Sequence, residues 1–404
     1  MERSPLRIMV IDSEALTLSL HQHILAELGF ASTRTFQSGE SALAHFSQGS
    51  GHPDVILLDL SMKRMDGIGF ARQLVTKGYC GKLILASNEG DRVVQASIRL
   101  VQECGVAVLG HVSKPATPEQ LRALLKDWQP LPPTPPPGIG RIFSRKEIAE
   151  GLQRSEFVNH YQPKVSPRTG EVEGVESLVR WDRPGEGLIP PGAFLGSLVR
   201  EGFMDELTRV SFRSALSHIH GLAMEGFSLH LAFNLTAATL ADVEFASFVA
   251  EEAARASVRA DHIILEVTES QIIKDLRAPL EVLTRLRLLH VGVSIDDFGT
   301  GYSSLTQLQN LPFDELKIDQ SFVHRAARDS MANAIYEASL QLARGLEMKA
   351  VAEGVEDRAD WDLVRRSGCD LAQGYFIGRP MPASGLMAWR ESWKQRTVTE
   401  LGLV

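Results

Sequence analysis

The segment Trp128–Gly140 reads WQPLPPTPPPGIG, and it constrains the fold of this chain more than any other stretch. Proline fixes its own φ and lacks an amide donor, so the segment can neither continue a helix nor enter a sheet interior. It predicts a semi-extended polyproline linker over residues 128–141. Just before it, Thr117-Pro118-Glu119-Gln120 has the order of an N-cap, a first-turn proline and a capping-box glutamine. Leu121, Leu124, Leu125 and Trp128 then recur at helical spacing, which marks the last amphipathic helix of a first domain, residues 1–127. A second domain is expected over 142–398, since 404 residues exceed one ordinary core.

Both sides of the linker alternate short apolar runs with longer amphipathic stretches, the pattern of parallel α/β folds. The first side has Ile8–Ile11, Val55–Leu58, Leu83–Leu85 and Val106–Leu109, which suits a small doubly wound parallel sheet. The second has more such units, including Leu229–Phe233, Ile263–Leu265, Val291–Ile295 and Met348–Ala352. Repeated strand–helix units over a region of that size predict a TIM-barrel-like (β/α)8 fold.

Composition narrows the function. A net charge of −8 argues against a binder of nucleic-acid backbones, which needs a basic face. It leaves room for a small anionic substrate wherever local cations outweigh the global charge. Cys80, Cys104 and Cys369 lie far apart without paired spacing, so neither a disulfide framework nor a thiolate zinc site is expected. The opening Met1–Pro5 lacks an apolar signal core, and no uninterrupted apolar run approaches membrane-spanning length. These features read as a cytoplasmic protein with neither nucleic acid nor membrane as partner.

The sharpest signal lies at the ends of the apolar runs in the second domain. Glu176 follows in GVESL, Asn234 in LAFNL, Glu266 in IILEV, Asp296 and Asp297 after VSI, and Glu353 after AVA. Lys317 sits in ELKID and Gln373 in LAQGY. Strand side chains alternate between faces, so Val291, Val293 and Ile295 share one side while Gly292, Ser294 and Asp296 share the other. By the same parity His230, Ala232 and Asn234 oppose Leu229, Leu231 and Phe233. The polar set therefore points to the barrel axis, and at the C-terminal mouth it converges on one site. Two carboxylates about 4 Å apart repel by roughly 4 kcal/mol at an effective dielectric near 20, so such a cluster needs protons or cations. Its donors are oxygens, which favours Mg²⁺ or Mn²⁺ over zinc. The twelve histidines form no HExxH pattern, and His218 and His220 diverge on a helix. Room for two hard cations suits in-line phosphodiester hydrolysis.

With these residues in place the second domain resembles the EAL family. The resemblance is carried by YQPK at Tyr161–Lys164, ESLVRW at Glu176–Trp181, FNLT at Phe233–Thr236, EVTES at Glu266–Ser270 and DDFGTGYSS at Asp296–Ser304. It continues through KID at Lys317–Asp319, EGVE at Glu353–Glu356 and QGYFIGRPMP at Gln373–Pro382. It implies a phosphodiesterase that opens cyclic di-GMP to linear 5′-pGpG with two Mg²⁺ or Mn²⁺ ions per site. By the same resemblance Glu176, Asn234, Glu266 and Asp296 bind one ion and Asp297 serves the second. Lys317 holds or polarises the attacking water, and Glu353 is the general base. Gln162, Leu178, Arg180 and Gln373 contact the dinucleotide, and Glu269 holds the DDFGTGYSS loop. The signature tripeptide departs from the usual pattern in carrying Ser177 where alanine or valine is common. DFG at Asp297–Gly299 is no kinase metal loop, because neither an HRD loop nor a VAIK strand accompanies it.

The first domain is similar to a two-component receiver over about Leu6–Trp128. Asp12 ends its first strand, Asp59 in LLDLSMKRMDG occupies the phosphoacceptor position, and Lys114-Pro115 follows the fifth strand. An aspartyl nucleophile needs cations to tolerate the charge that develops in phosphoryl transfer. Here the acid pair is thinned, because Ser13 follows Asp12, and Glu14 stands one residue late. Ala86 takes the place of the usual hydroxyl, with Ser87 one position on; Lys63 replaces a common proline, and His111 a common aromatic. The resemblance implies a sensor histidine kinase as partner and a homo-oligomer. A catalytically silent cyclic di-GMP receptor is the competing reading. It is disfavoured because members of that kind usually lack metal ligands, the lysine or the base, all of which stand here.

Overall fold

The computed structural model describes residues 6–30, 32–46, 52–62, 64–126, 141–272, 277–299, 308 and 311–403. The proline linker, Lys63, Trp128 and the Thr300–Ser304 end of the DDFGTGYSS motif lie outside them. The chain divides into two compact units, Met1–Ile142 and Phe143–Val404.

The first unit is built on strands β1 (Ile8–Ile11), β2 (Thr33–Phe36), β3 (Val55–Asp59), β4 (Lys82–Ser87) and β5 (Ala107–Ser113). They form one sheet in the order β2-β1-β3-β4-β5, and every pair is parallel. Alternation sorts its side chains onto two covered faces. Met9, Ile11, Ile56, Leu58, Leu83 and Leu85 enter one core. Ile8, Val10, Val55, Leu57, Ile84 and Ala86 enter the other. Strand β2 escapes sequence inspection because TRTF is a partly exposed edge without an apolar run. The expected capping box forms: Gln120 N–H donates to Thr117 Oγ1 at 3.3 Å, and Thr117 N–H to Gln120 Oε1 at 3.0 Å.

The second unit contains β6 (Phe157–Val165), β7 (Val172–Arg183), β8 (Gly187–Ile189), β9 (His230–Asn234), β10 (Ile263–Thr268) and β11 (Gly292–Phe298). It continues with β12 (Glu315–Ile318), β13 (Lys349–Ala352), β14 (Leu371–Gln373) and β15 (Met381–Pro382). Strands β7 and β9 to β14 pair in parallel succession. Strand β6 runs antiparallel to both β7 and β14 and thereby closes a barrel of eight strands. The departure from a regular barrel comes from the tight β6–β7 connection, where Gly170 adopts φ +76° and its N–H reaches Ser166 O at 2.8 Å. A side chain at Gly170 would strike Thr397 Cγ2 at 2.8 Å. The helix Leu386–Thr399 seals this end, with Trp393 Nε1 donating to Gly170 O at 2.8 Å. Leu401 and Leu403 are buried in the main core, so the unit runs past residue 398.

The outward strand positions Leu231, Phe233, Leu265, Val293 and Ile295 meet surrounding helices in that core. A second cluster stands at the start of the unit, where Phe143 and Phe157 flank the fully buried Trp181 with ring centroids 4.6 Å away in each case. Phe143 N–H donates to Ser197 Oγ at 3.1 Å. Among the described residues no helix is long and apolar enough to cross a membrane.

A fragment starting at Arg141 should unfold cooperatively in urea. Phe143→Ala in that fragment should lower its stability by about 3 kcal/mol, the low end for deleting a buried phenylalanine ring. A midpoint unchanged by the substitution would remove Phe143 from the core of this unit.

Candidate active site

Register turns the strand-end pattern into a ring. Glu176 lies beside Ala232, Glu266 beside Asn234 and Thr268 beside Asp296, all on the inward face. At the centre is Lys317, whose side chain is 1% exposed. Its Nζ stands 2.8 Å from Glu353 Oε1, 3.0 Å from Glu266 Oε2, 3.0 Å from Asp296 Oδ1 and 3.4 Å from Glu176 Oε2. Asn234 Nδ2 donates to Glu176 Oε1 at 2.7 Å, and Gln373 Nε2 donates to Glu176 Oε2 at 2.6 Å and to Gln162 Oε1 at 3.1 Å. Glu176, Asn234, Glu266, Asp296, Lys317, Glu353, Gln162 and Gln373 are thus linked in one network.

Burial and charge pull these groups in opposite directions. Burial favours the neutral form of Lys317, but Glu176, Glu266, Glu353 and Asp296 hold its pKa well above the ordinary lysine value. Burial pushes Glu266 well above the carboxylate range; Lys317 opposes this and Glu176 adds to it. In Glu176 burial is overcome by Lys317 and by hydrogen bonds from Gln373 and Asn234, and the pKa falls. Burial, opposed by Lys317 and reinforced by Asp296 and Glu176, pushes Glu353 up to about 8. Asp297 rises to about 6 through burial and the neighbouring Asp296 and Asp319.

Asp297 has a left-handed backbone, φ +56°, and the β11–β12 register shifts between Ile295 and Phe298. Adjacent strand residues ordinarily face opposite sides; this irregularity lets two successive aspartates serve one site. Asp296, Asp297 and Glu353 each offer an oxygen, all within 4.8 Å of one another. Six carboxylates touch the lysines or stand in this trio, against two ammonium groups, Lys317 and Lys164. Carboxylates outnumber ammonium groups, and Glu266, Asp297 and Glu353 are pushed toward their neutral forms; their oxygens fit the hard divalent cations that the sequence implies, which would relieve that crowding. The geometry gives Glu353 an unforeseen place beside both aspartates.

Glu269 is 3% exposed and its Oε2 accepts Gly299 N–H at 3.1 Å. Leu178 and Arg180 continue the inward face above Glu176 and are half-buried; Arg180 Nη1 donates to Val179 O at 2.9 Å. Sequence inspection overlooked Lys164 and Glu315. Lys164 Nζ lies 3.0 Å from Glu315 Oε1 and 3.5 Å from Glu266 Oε1, deep in the axis. The parity that marks Gln162 and Lys317, taken one inward step further along β6 and β12, reaches both.

In the first unit Lys114 Nζ bridges Asp12 Oδ2 and Asp59 Oδ2 at 3.0 Å each. Glu14 is turned away, accepting Thr17 Oγ1–H at 3.0 Å. Ala86 is the ladder neighbour of Asp59, while Ser87 Oγ accepts Glu89 N–H at 3.0 Å; His111 is exposed.

Family models match both units: the response regulator receiver domain over residues 8–126 and the EAL domain over 145–380. The chain belongs to the EAL family and carries a receiver domain ahead of its EAL domain. Cyclic di-GMP phosphodiesterase RocR of Pseudomonas aeruginosa is 31% identical over 379 residues, spanning 93% of this chain and 96% of the relative. The bifunctional diguanylate cyclase/cyclic di-GMP phosphodiesterase MucR of the same organism is 42% identical over 244 residues, 60% of this chain and 36% of that protein. A solved structure of the MucR phosphodiesterase in complex with c-di-GMP aligns at TM-score 0.57 and 41% identity, covering 60% of this chain and 98% of that one.

Lys317→Met should leave its carboxylates without their shared cation. In chelator the variant should melt well below the parent, and added Mn²⁺ should recover more of its Tm than of the parent's. Equal Mn²⁺ responses in scanning fluorimetry would argue that Lys317 does not balance the cluster. In the receiver, Ser13→Asp should improve Mg²⁺-dependent labelling of Asp59 by small phosphodonors. Near-stoichiometric labelling of the parent would show that one acid at Asp12 suffices.

Proposed function

We propose that this protein hydrolyses cyclic di-GMP to linear 5′-pGpG in a reaction that needs Mg²⁺ or Mn²⁺. The observation that carries the reading is the Lys317-centred cluster, in which Asp296, Asp297 and Glu353 also offer oxygens within 4.8 Å of one another. It is supported by a likeness to RocR that extends over both domains.

Glu176, Asn234, Glu266 and Asp296 hold one divalent ion, and Asp297 serves a second. When bound, these ions supply positive charge for the attacking water and for the departing 3′-oxygen. Asn234 suits a ligand's role because its amide nitrogen is spent on Glu176, leaving the carbonyl oxygen available. Glu353 takes a proton from water as the oxygen–phosphorus bond forms and the bond from phosphorus to the 3′-oxygen breaks. Lys317 orients Glu353 through their 2.8 Å contact and holds the water. Gln162, Leu178, Arg180 and Gln373 bind the dinucleotide, with Gln162 fixed by Gly378 O at 3.2 Å and by Gln373. Glu269 secures the loop that carries Asp297.

The receiver adjusts this activity, and its lysine-bridged Asp59 supports a phosphodonor such as a sensor histidine kinase as partner. A cytoplasmic location agrees with three unpaired cysteines, and a homo-oligomer is proposed on the family likeness alone.

Glu353→Gln should still bind cyclic di-GMP by calorimetry while pGpG formation falls at least about 10²-fold, the lower range for losing a general base. Asp296→Asn should weaken both metal binding and turnover, since a neutral amide does not offset the cation. EDTA should silence the parent and Mg²⁺ or Mn²⁺ restore it, followed by chromatography of pGpG. Tight binding by the parent without pGpG under any metal or phosphorylation state would replace the enzyme with a receptor.

A further inference from the structure

At the end of the barrel opposite the catalytic mouth, the first inward residues of the strands line a partly open cavity of about 210 Å³. Gly174, His230, Ile264, Gly292, Glu315 and Leu371 line it. Register places Gly174 beside His230 and Ile264 beside Gly292, so these residues form a layer of their own. Barrel interiors are ordinarily filled by such layers. Here Gly292 carries no side chain and space remains, whereas a side chain at Gly174 would strike His230 O at 2.7 Å.

The cations around this space are already engaged. Lys164 Nζ stands 3.0 Å from Glu315 Oε1, Arg287 Nη2 2.6 Å from Asp314 Oδ1 and Lys349 Nζ 3.3 Å from Glu173 Oε2. Asp314 and Glu173 are engaged by these same cations and Asp261 by Arg259, but one buried acceptor is not. Glu315 is 2% exposed, and its Oε2 is buried without a hydrogen bond. An acceptor left so is costly and calls for a donor. His230 is engaged as well, its Nδ1 donating to Glu173 O at 2.9 Å. Polar demand in the cavity is therefore for a donor with positive charge, and its volume suits a ligand below drug size.

We propose that this cavity binds a small organic cation, whose ammonium or guanidinium group donates to Glu315 Oε2. The site is independent of the catalytic mouth but electrically joined to it. Lys164 is shared between Glu315 and Glu266, at 3.0 and 3.5 Å, and Glu266 contacts Lys317 at 3.0 Å. A cation on Glu315 competes with Lys164 for that carboxylate and leaves Lys164 more fully to Glu266.

The test is calorimetric titration of the full chain, with Mg²⁺ present, using agmatine, n-butylamine and, as an anionic control, acetate. At least one of the two cations should saturate with a Kd of about 1 mM or tighter, and acetate should not bind. Gly292→Val narrows the space, with its Cβ 3.2 Å from Ile264 Cγ1, and keeps every charge; it should weaken binding about tenfold or more in a variant whose Tm stays near the parent's, as should Glu315→Gln, which removes a charge-assisted acceptor. Should Glu315→Gln fail to fold because Lys164 loses its partner, Gly292→Val decides alone. Absence of saturation by either cation, acetate binding of equal strength, or undiminished binding by Gly292→Val would each overturn the proposal. The readout is binding, so loss of pGpG formation would leave it standing.

Discussion

A single buried ammonium group makes the interior of this barrel possible. Lys317 is 1% exposed and touches four carboxylates drawn from four different strands or strand ends. Burying a charge is costly unless it is paired, and removing one member of a buried set leaves the rest uncompensated. The acids in turn could not share so small a space without it. Strand order, the inward ring and the chemistry at the mouth all depend on this mutual compensation. Because it is incomplete, with Glu353 and Asp297 both pushed upward, the cluster stays receptive to further cations.

The reversed strand β6 extends this arrangement along the axis. Because it runs opposite to its neighbours, Gln162 comes to lie at the mouth, hydrogen-bonded to Gln373. Lys164, two residues later, lies below, between Glu266 and Glu315. The axis thus alternates acid and base from the mouth downward. The receiver uses a smaller version of the same device: Lys114 bridges Asp12 and Asp59 at the C-terminal ends of parallel strands. In both units a lysine holds together carboxylates that would otherwise repel one another.

Much of the site was legible in the chain because strand parity is a rigid rule. Glu176, Asn234, Glu266, Lys317 and Gln373 stand where alternate residues of short apolar runs must face inward, and the structure brings them into contact. Asp296 and Asp297 show the limit of the rule. Parity sends adjacent residues to opposite faces, and only the left-handed turn at Asp297 joins them to Glu353. Strand β2 was hidden for a different reason, since an edge strand need not be apolar on both faces.

The sequence by itself determined the division at the proline segment, the two α/β classes and the inward acidic positions. Each follows from local chemistry: a missing amide, a side-chain period, a residue's charge. Tertiary structure alone decided that β6 closes the barrel in reverse, that Lys317 meets four acids rather than one, and that space remains beside Gly292 and Glu315. Those outcomes depend on which strands become neighbours, and residues far apart in the chain have no local property that encodes their meeting.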